Sequence, residues 1–263
     1  MRRRSVRAAY LRRGALLPLG ALIGLALVWE GSARFFKLPK FLLPPLSTIW
    51  IDSMSRMDLV LEHTLATLGT VLGGFALSIA ISVPLAVLIA SSPLIANAVY
   101  PLLVLTQSVP KVALAPILVV ALGAGETPRL VVTVLVAFFP LVTSLATGLL
   151  TTPADLVELG RSYDLRWWEE MYRIRLPAAV PFLFNGLKLA ITFAVVGATV
   201  GEFVAADKGL GYQIMAATAF FNTPTAFGAL VMLSLLGIAL FQAVVIVERL
   251  FFPWSASREV DVR

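Results

Sequence analysis

The chain has 263 residues, of which 59% are hydrophobic and 14% charged, and its net charge is +6. Soluble proteins average about 45–50% apolar and about 25% charged residues, so this apolar excess cannot all be hidden in a soluble core and predicts a polytopic membrane protein. The sequence lacks cysteine, which excludes disulfides and thiolate metal sites, and a lone histidine, His63, argues against a histidine-based metal or catalytic site.

Six arginines precede the first apolar run. They lie in residues 1–13, and the run from Gly14 to Phe36 is interrupted only by Glu30 and Arg34 near its end. A secretory signal peptide has an apolar region of about 7–15 residues that ends at a small-residue cleavage site, whereas this run is longer and has no Ala-x-Ala end. We therefore predict a first membrane helix whose N-terminus lies inside. A nucleic-acid-binding arm is the competing interpretation of the arginines.

A more polar segment, residues 37–62, follows this run and is expected on the outside. Its prolines, Pro39, Pro44 and Pro45, prevent a continuous helix. Residues 52–62 are polar enough to form a short surface helix.

The next stretch, residues 64–110, contains no charged residue and is too long for a single span of about 20 residues. A turn-forming sequence at residues 91–97 divides it. This predicts a second span at residues 64–90 and a third that starts near Ala98 and ends on the outside at Gly123 and Gly125.

The third span is unusual because Pro101, Pro110 and Pro116 interrupt it and Lys111 lies inside it. A proline leaves nearby carbonyl groups without their helical partners, and a lysine deep in the membrane costs about 2.5–3.5 kcal/mol on insertion scales. Both features are tolerated where the backbone lines a protein-filled or wet cavity. The alternative is a kinked packing helix whose lysine extends outward to the interface.

Three further apolar runs predict spans at residues 130–150, 179–201 and 226–247. Lys188 lies within the fifth span, and Glu202 lies at its outer end. More basic residues fall in the segments that this topology places inside than in those it places outside. The positive-inside rule therefore favours a cytoplasmic location for both termini and for the loop between the fourth and fifth spans.

That central loop, residues 155–177, mixes acidic, basic and aromatic residues at helical spacing. Trp167 and Trp168 suit a membrane interface, and four arginines indicate the cytoplasmic side. One interpretation is a basic amphipathic segment that lies on the lipid headgroups. The other is a docking surface for a cytoplasmic partner.

The loop resembles the coupling motif of permease subunits of binding-protein-dependent ABC importers. That motif has the sequence Glu-Ala-Ala, three residues, Gly, nine residues, Ile, one residue, Leu-Pro. Leu159 and Gly160 stand where the family has alanines, and Asp164 stands where it has glycine, although aspartate also tolerates left-handed conformations better than most residues. The matching positions, without a gap in the count, are Glu158, Ile174, Leu176 and Pro177.

Flanking sequences extend the resemblance from about Leu43 to Trp254. Residues 43–50, 108–125, 186–191 and 201–214 are similar, in order, to the subfamily that serves nitrate, alkanesulfonate, taurine and pyrimidine-type precursors. The resemblance implies an all-α polytopic membrane protein with about six transmembrane helices, the type I ABC importer fold and both termini in the cytoplasm. The solute would be a small organic or inorganic anion, such as sulfonate, taurine or nitrate, or a pyrimidine or vitamin-type precursor.

The same resemblance implies which partners the chain has. They are cytoplasmic ABC ATPase subunits, a periplasmic or lipid-anchored solute-binding protein, a second permease (another copy or a close relative) and the lipid of the bacterial cytoplasmic membrane. No nucleic acid is expected. The chain would not be an enzyme and would hold no cofactor or metal, since ATP and Mg²⁺ would bind to the ATPase. ATP-driven closure of the ATPase would push a helix at 158–166 and expose the pathway alternately to each side.

Two groups of site residues follow from the resemblance. We expect Glu158, Arg161 and Leu165 to share one face of the pushed helix, because residues three and four apart on a helix are neighbours. The predicted coupling residues are Glu158, Leu159, Gly160, Arg161, Asp164, Leu165, Ile174, Leu176 and Pro177. The predicted pathway residues are Gln107, Ser108, Pro110, Lys111 and Glu202.

The predicted domain division has three parts. Residues 1–58 hold the arm, first helix and external segment; residues 59–254 form the permease core with a coupling loop at 151–178; residues 255–263 form a cytoplasmic tail. The main alternative function is an ion-coupled secondary transporter or channel, with Lys111, Lys188 and Glu202 as its polar path. A membrane enzyme is the third hypothesis, and the lack of a converging acid–base set argues against it.

Overall fold

The computed structural model describes residues 20–21, 23–36, 39 and 41–256, and this part of the chain is almost entirely helical. It divides into two compact units. The described residues of Met1–Val60 and Gln213–Ala229 form the smaller unit, and those of Leu61–Tyr212 and Leu230–Arg263 form the larger unit. The predicted division at residues 58 and 254 stays a prediction.

The helices follow one another with short connections. Helix α1 covers residues 23–35 of the described chain. The others are α2 (Leu46–Ser55), α3 (Met57–Ser91), α4 (Pro93–Gln107), a 3₁₀ turn (Lys111–Leu114), α5 (Ala115–Leu122), α6 (Glu126–Leu150), α7 (Ala154–Ser162), α8 (Trp167–Glu170), a π turn (Met171–Arg175), α9 (Leu176–Ala205), α10 (Leu210–Ala219), α11 (Thr223–Phe251) and α12 (Pro253–Ala256).

Within the smaller unit, polar and aromatic contacts hold the segment after α1. The Trp29 indole donates to the Pro44 carbonyl at 3.1 Å, and its ring meets Phe227 edge-on with centroids 5.5 Å apart. Thr225 donates to Asp52 at 2.7 Å. The prediction of a short surface helix at residues 52–62 is wrong. These residues are divided between α2, which begins directly after Pro45 and ends at Ser55, and α3, which begins at Met57.

Four described helices, or helix combinations, are long and apolar enough to cross a membrane: α3, α6, α11 and the continuous helix Trp167–Val204, which contains α8, the π turn and most of α9. A fifth span is possible if α4 and the segment Lys111–Leu122, bent by 78° at the break between them, cross together. The first predicted span, residues 14–36, lies partly outside the described residues. The predicted break within residues 91–97 is confirmed at Ser92, whose hydroxyl caps α4.

The core of the larger unit is the extensive packing of α6 against α9. Leu141, Leu145 and Ile191 are almost completely buried there. Close approach requires glycine at Gly197, where a Cβ atom would lie 2.8 Å from the Cα atom of Thr133. In lipid, where no hydrophobic effect drives helices together, small residues allow two helix backbones to approach closely enough to pack.

The third predicted span is broken at Pro110, but not at Pro101, which lies inside α4, or at Pro116, which lies in the first turn of α5. Helix α4 ends at Gln107, Pro110 precedes the 3₁₀ turn, and α5 continues from Ala115. Gly123 and Gly125 have φ angles of 82° and 145°, a region that favours glycine, and they end α5 as predicted. The bend faces α6 and α9, which places irregular backbone beside the core of the larger unit.

Candidate functional site

The central loop is a helix–turn–helix and not one helix. Helix α7 ends at Ser162, and Asp164 has a φ angle of 53°, so aspartate adopts the left-handed conformation at the position where the related motif has glycine. The Leu165 amide then donates to the Gly160 carbonyl at 3.2 Å and closes the turn. The expected helix over 158–166 is therefore wrong, because the left-handed residue ends it.

Helix α7 has one buried and one exposed face. Val157 and Gly160 are buried, whereas Glu158, Leu159 and Arg161 are exposed, Leu159 to 54%. Leu165 lies beyond the helix and is half-buried. The expectation that Leu165 shares the exposed face of Glu158 and Arg161 is wrong for that reason.

Gly160 joins the two ends of the motif in space. A Cβ atom at Gly160 would lie 2.5 Å from Cδ1 of Ile174 and 3.3 Å from Cδ1 of Leu165. Leu176 and Pro177 start α9 directly after the π turn. The motif positions therefore form one packed hairpin whose far end continues into α9, and π turns of this kind are frequent at functional sites.

A buried carboxylate that the sequence analysis missed ties this hairpin together. Glu170 Oε1 lies 2.7 Å from Arg175 Nε, and Glu170 Oε2 lies 3.7 Å from Arg161 Nε. Arg175 also donates to the Leu149 carbonyl at the end of α6, at 3.4 Å. Glu170 thus links α7 to the π turn, and through Arg175 it links both to α6. The sequence feature that could have identified Glu170 is the presence of an acidic residue among arginines in an amphipathic segment.

A cavity of about 750 Å³ lies in the larger unit between α4, the bend, α6 and α9. Aromatic rings line it, among them Phe139, Phe182 and Phe193. Its polar lining consists of Tyr100, Gln107, Lys111, Thr143, Ser144 and Thr147. The cavity has the size typical of small-molecule sites, about 300–1,000 Å³.

Lys111 contributes the positive charge of this cavity. The bend places it at the start of the 3₁₀ turn, with its ammonium 4.5 Å from the ring centroid of Phe139 and 3.5 Å from the Gln107 carbonyl. A cation over an aromatic face is attracted to it by about 0.5–2 kcal/mol. The geometry therefore leaves the Lys111 ammonium beside open space in which a solute could approach it.

The predicted pathway residues do not all meet. Gln107 and Lys111 line the cavity, while Ser108 and Pro110 are exposed residues of the break beside it. Glu202 lies elsewhere, almost fully buried, where its Oε2 accepts from Thr67 at 3.0 Å and from the Gly211 amide at 2.8 Å. Lys188 is also away from the cavity lining, so the polar path of the alternative hypothesis is not assembled there.

The surroundings of Glu202 hold the connection between α9 and α10. His63 Nδ1 accepts from the Gly209 amide at 3.1 Å, and Thr67 accepts from the Leu210 amide at 2.8 Å. Lys208 donates to Glu62 at 2.7 Å, and this hydrogen bond and charge raise the pKa of Lys208. In the described chain, no group of three or more His, Cys, Asp or Glu side chains could hold a metal ion.

Comparisons with known proteins agree with this architecture. Residues 82–254 match the family described as binding-protein-dependent transport system inner membrane component. The chain is 35% identical to the formylaminopyrimidine transport permease protein ThiX of Halalkalibacterium halodurans, over 91% of this chain and 96% of that protein. It is 33% identical to the riboflavin transport system permease protein RibX of Chloroflexus aurantiacus, over 96% of each chain.

A solved structure shows the same fold. The MetNI methionine ABC transporter, in inward-facing conformations, contains a chain that matches with a TM-score of 0.65 and 22% identity, over 73% of this chain and 96% of that chain. This structure confirms the predicted type I importer fold, and the relatives confirm the predicted subfamily, while the location of the termini and the count of about six transmembrane helices stay predictions. The chain belongs to the binding-protein-dependent transport permease family, and it is the membrane-spanning permease subunit of an ABC importer and not itself an enzyme.

Proposed function

We propose that this permease carries a small polar solute through the cavity beside Lys111, across the cytoplasmic membrane of a bacterium. The observation that carries the proposal is the cavity lining, in which a cation, hydroxyl groups and aromatic rings meet within otherwise apolar helices. Ionisable residues within membrane segments are costly and mark solute pathways by default. The alternative, a lysine that extends to the membrane interface, does not account for an ammonium seated over the Phe139 ring.

The cavity lining also favours a solute class. Four rings, those of Tyr100, Phe139, Phe182 and Phe193, suit a flat heterocycle, and the hydroxyls of Thr143 and Thr147 can bond to its polar edge. The similarity to permeases named for formylaminopyrimidine and riboflavin supports a pyrimidine or vitamin-type precursor as the solute. A small anion such as a sulfonate, taurine or nitrate is the second candidate, supported by the charge of Lys111.

We further propose that α7 receives the motion of a cytoplasmic ATPase. Its exposed face, with Glu158, Leu159 and Arg161, would contact the ATPase, while Gly160, Leu165 and Ile174 hold it against the π turn. Asp164 provides the turn, and Leu176 and Pro177 pass the displacement into α9. Coupling of this kind requires that α7 make different contacts in the two conformations of the complex. Ser108 and Pro110 would act as the joint of the bent span, and Glu202 would fix the far end of α9.

The remaining partners follow from the family. A solute-binding protein would deliver the solute from outside, a second permease copy would complete the pathway, and ATP with Mg²⁺ would bind only to the ATPase. Arginines in the loop favour a cytoplasmic location for α7, and both termini would lie on the same side. Membership of an importer family argues against the ion-coupled alternative.

The Lys111→Met substitution tests the pathway and the solute together. We expect ATP-dependent uptake of the transported compound to fall about tenfold or more, because a charge-assisted hydrogen bond contributes about 1.5–3 kcal/mol. Complex assembly should not change. Uptake of radiolabelled formylaminopyrimidine, riboflavin and taurine would be measured in proteoliposomes that contain the ATPase and binding protein.

The control for this substitution is Lys208→Met, since Lys208 is an exposed lysine that the cavity does not include. Its variant should transport like the parent, because exposed ion pairs contribute only about 0–1 kcal/mol. Normal uptake by Lys111→Met would contradict the pathway assignment. Transport of taurine but neither heterocycle would contradict the preferred solute class.

A further inference from the structure

Helix α11 packs only partly against the rest of the larger unit, where Leu233, Leu240 and Val244 contact the buried cluster that includes Ile191 of α9. In its most apolar stretch only 6% of the residues are buried. A gap of about 510 Å³ separates it from α9, lined on one side by Thr192, Val195 and Val196 and on the other by residues 233–242. Side-chain packing between α11 and α9 is therefore incomplete along this gap.

A buried charged cluster joins the two helices beyond the gap. Lys188 Nζ, one turn before Thr192 on α9, lies 2.9 Å from Glu248 Oε2 near the end of α11. Ser255 donates to the other oxygen of Glu248 at 2.8 Å. Lys188, Glu248 and Ser255 are only 8%, 2% and 1% exposed. We name this group of three residues the clasp.

Aromatic packing covers the clasp. The rings of Phe184, one turn before Lys188, and of Phe252, one turn after Glu248, have centroids 5.3 Å apart. The Phe252 ring also contacts Trp254, with centroids 5.3 Å apart. The chain after α11 thus folds back over the ion pair and shields it from water. The electrostatic attraction between the two charges is stronger there because the dielectric constant is lower than in water.

Stability alone does not account for the clasp. Desolvation of two buried charges costs several kcal/mol per ion, and apolar residues of similar volume are often as stable or more so. What a buried ion pair supplies is a single, directional contact between two helices. On the α9 side that contact lies eleven residues after Pro177, about 16 Å along the helix from the end of the coupling motif.

We infer that the clasp is a positioning device: it locks the end of α11 to α9, so that both helices move as one body when the coupling loop moves. Lys188 and Glu248 are then positioning residues for transport, which act through the placement of α11 and do not contact solute. This inference rests on the proposed function, because it requires motion that enters α9 from α7. It predicts that the gap between the two helices keeps its width throughout the transport cycle.

A distance measurement in the intact complex tests this directly. The chain has no native cysteine, so spin labels can be attached to a Thr192→Cys, Ile238→Cys double variant, at two exposed positions on opposite sides of the gap. The distance between the two labels would be measured by double electron–electron resonance spectroscopy. The two states compared are the complex with a nucleotide-free ATPase and the complex with ATP bound but not hydrolysed. We expect the short distance between the two labels of one permease copy to be narrow and the same in both states, whereas the longer distances between labels on different copies are not part of the test.

Variants of the clasp supply the second readout. Lys188→Met should broaden the distance distribution and reduce ATP-dependent uptake about tenfold or more, while ATPase binding is retained. Lys188→Arg keeps the charge and should restore both the narrow distance and most of the uptake. A role in folding alone would change expression and thermal stability without changing the distance in the molecules that assemble.

Two outcomes would overturn the inference. One is a parent distance that changes between the two nucleotide states, since the helices would then move independently. The other is a Lys188→Met variant with parental distance and uptake. If that variant does not assemble, the parent comparison decides alone. ATP-dependent uptake by the labelled parent tests the proposed function separately, because the distance comparison needs only the two nucleotide states.

Discussion

Replacement of Gly160 by leucine is expected to abolish ATP-driven import, although residue 160 lies far along the chain from the cavity-lining bend. The Cβ atom of any larger residue at position 160 would lie 2.5 Å from Ile174 and 3.3 Å from Leu165. Leucine adds three further carbon atoms to that filled space. Overpacking costs about 1–3 kcal/mol, and here the strain can be relieved by moving α7 away from the π turn. We expect the ATPase to co-purify weakly or to hydrolyse ATP without import.

Gly160→Ala is the matched control for this prediction. Only the flexible ends of two side chains would have to move, and the related motif has alanine at this position, so import should stay near the parental level. Co-purification of the ATPase and uptake into proteoliposomes would be measured for both variants. Parental import by Gly160→Leu would mean that the contact between α7 and Ile174 does not transmit motion.

Removal of the Glu170 carboxylate should have the second large effect. Glu170→Ala leaves Arg175, whose side chain is only 18% exposed, without its 2.7 Å partner. Loss of one member of a buried ion pair costs about 3–5 kcal/mol. We therefore expect a lower unfolding temperature of the purified permease and loss of ATP hydrolysis stimulated by loaded binding protein.

The neighbouring Glu169→Ala substitution is the control for Glu170. Glu169 accepts from the Arg166 amide at 3.0 Å, and a capping interaction of this kind contributes about 0.5–2 kcal/mol. The two variants should therefore differ clearly in thermal unfolding. Equal unfolding temperatures would contradict the role of Glu170 as the link between α7, the π turn and α6.

The membrane spans were largely predictable because lipid requires long apolar helices. The fourth span, predicted at 130–150, is observed as Glu126–Leu150, and the sixth, predicted at 226–247, is observed as Thr223–Phe251. The break before α4 and the end of α5 were predictable from local proline and glycine chemistry. Residues 52–62 were not, because their polarity is compatible both with a surface helix and with the first turns of α3.

The candidate site was less predictable because it depends on contacts distant in sequence. Helical spacing continues past Ser162, so only the glycine position of the related motif indicated a turn at Asp164. Glu202 is an ionisable residue at the end of a span, as a pathway residue would be. Its partners, however, include Thr67, which lies 135 positions away in the sequence. Periodicity carries no information on such a contact. The clasp between Lys188 and Glu248 is hidden for the same reason.

The proposed coupling mechanism requires α7 to be a cytoplasmic surface that the ATPase covers. A single cysteine at Leu159, which is 54% exposed, would be tested with a membrane-impermeant thiol reagent. We expect no labelling in intact cells, rapid labelling in inverted vesicles without the ATPase, and protection when the ATPase is bound. Labelling from the outside of intact cells would contradict the topology and the coupling mechanism together.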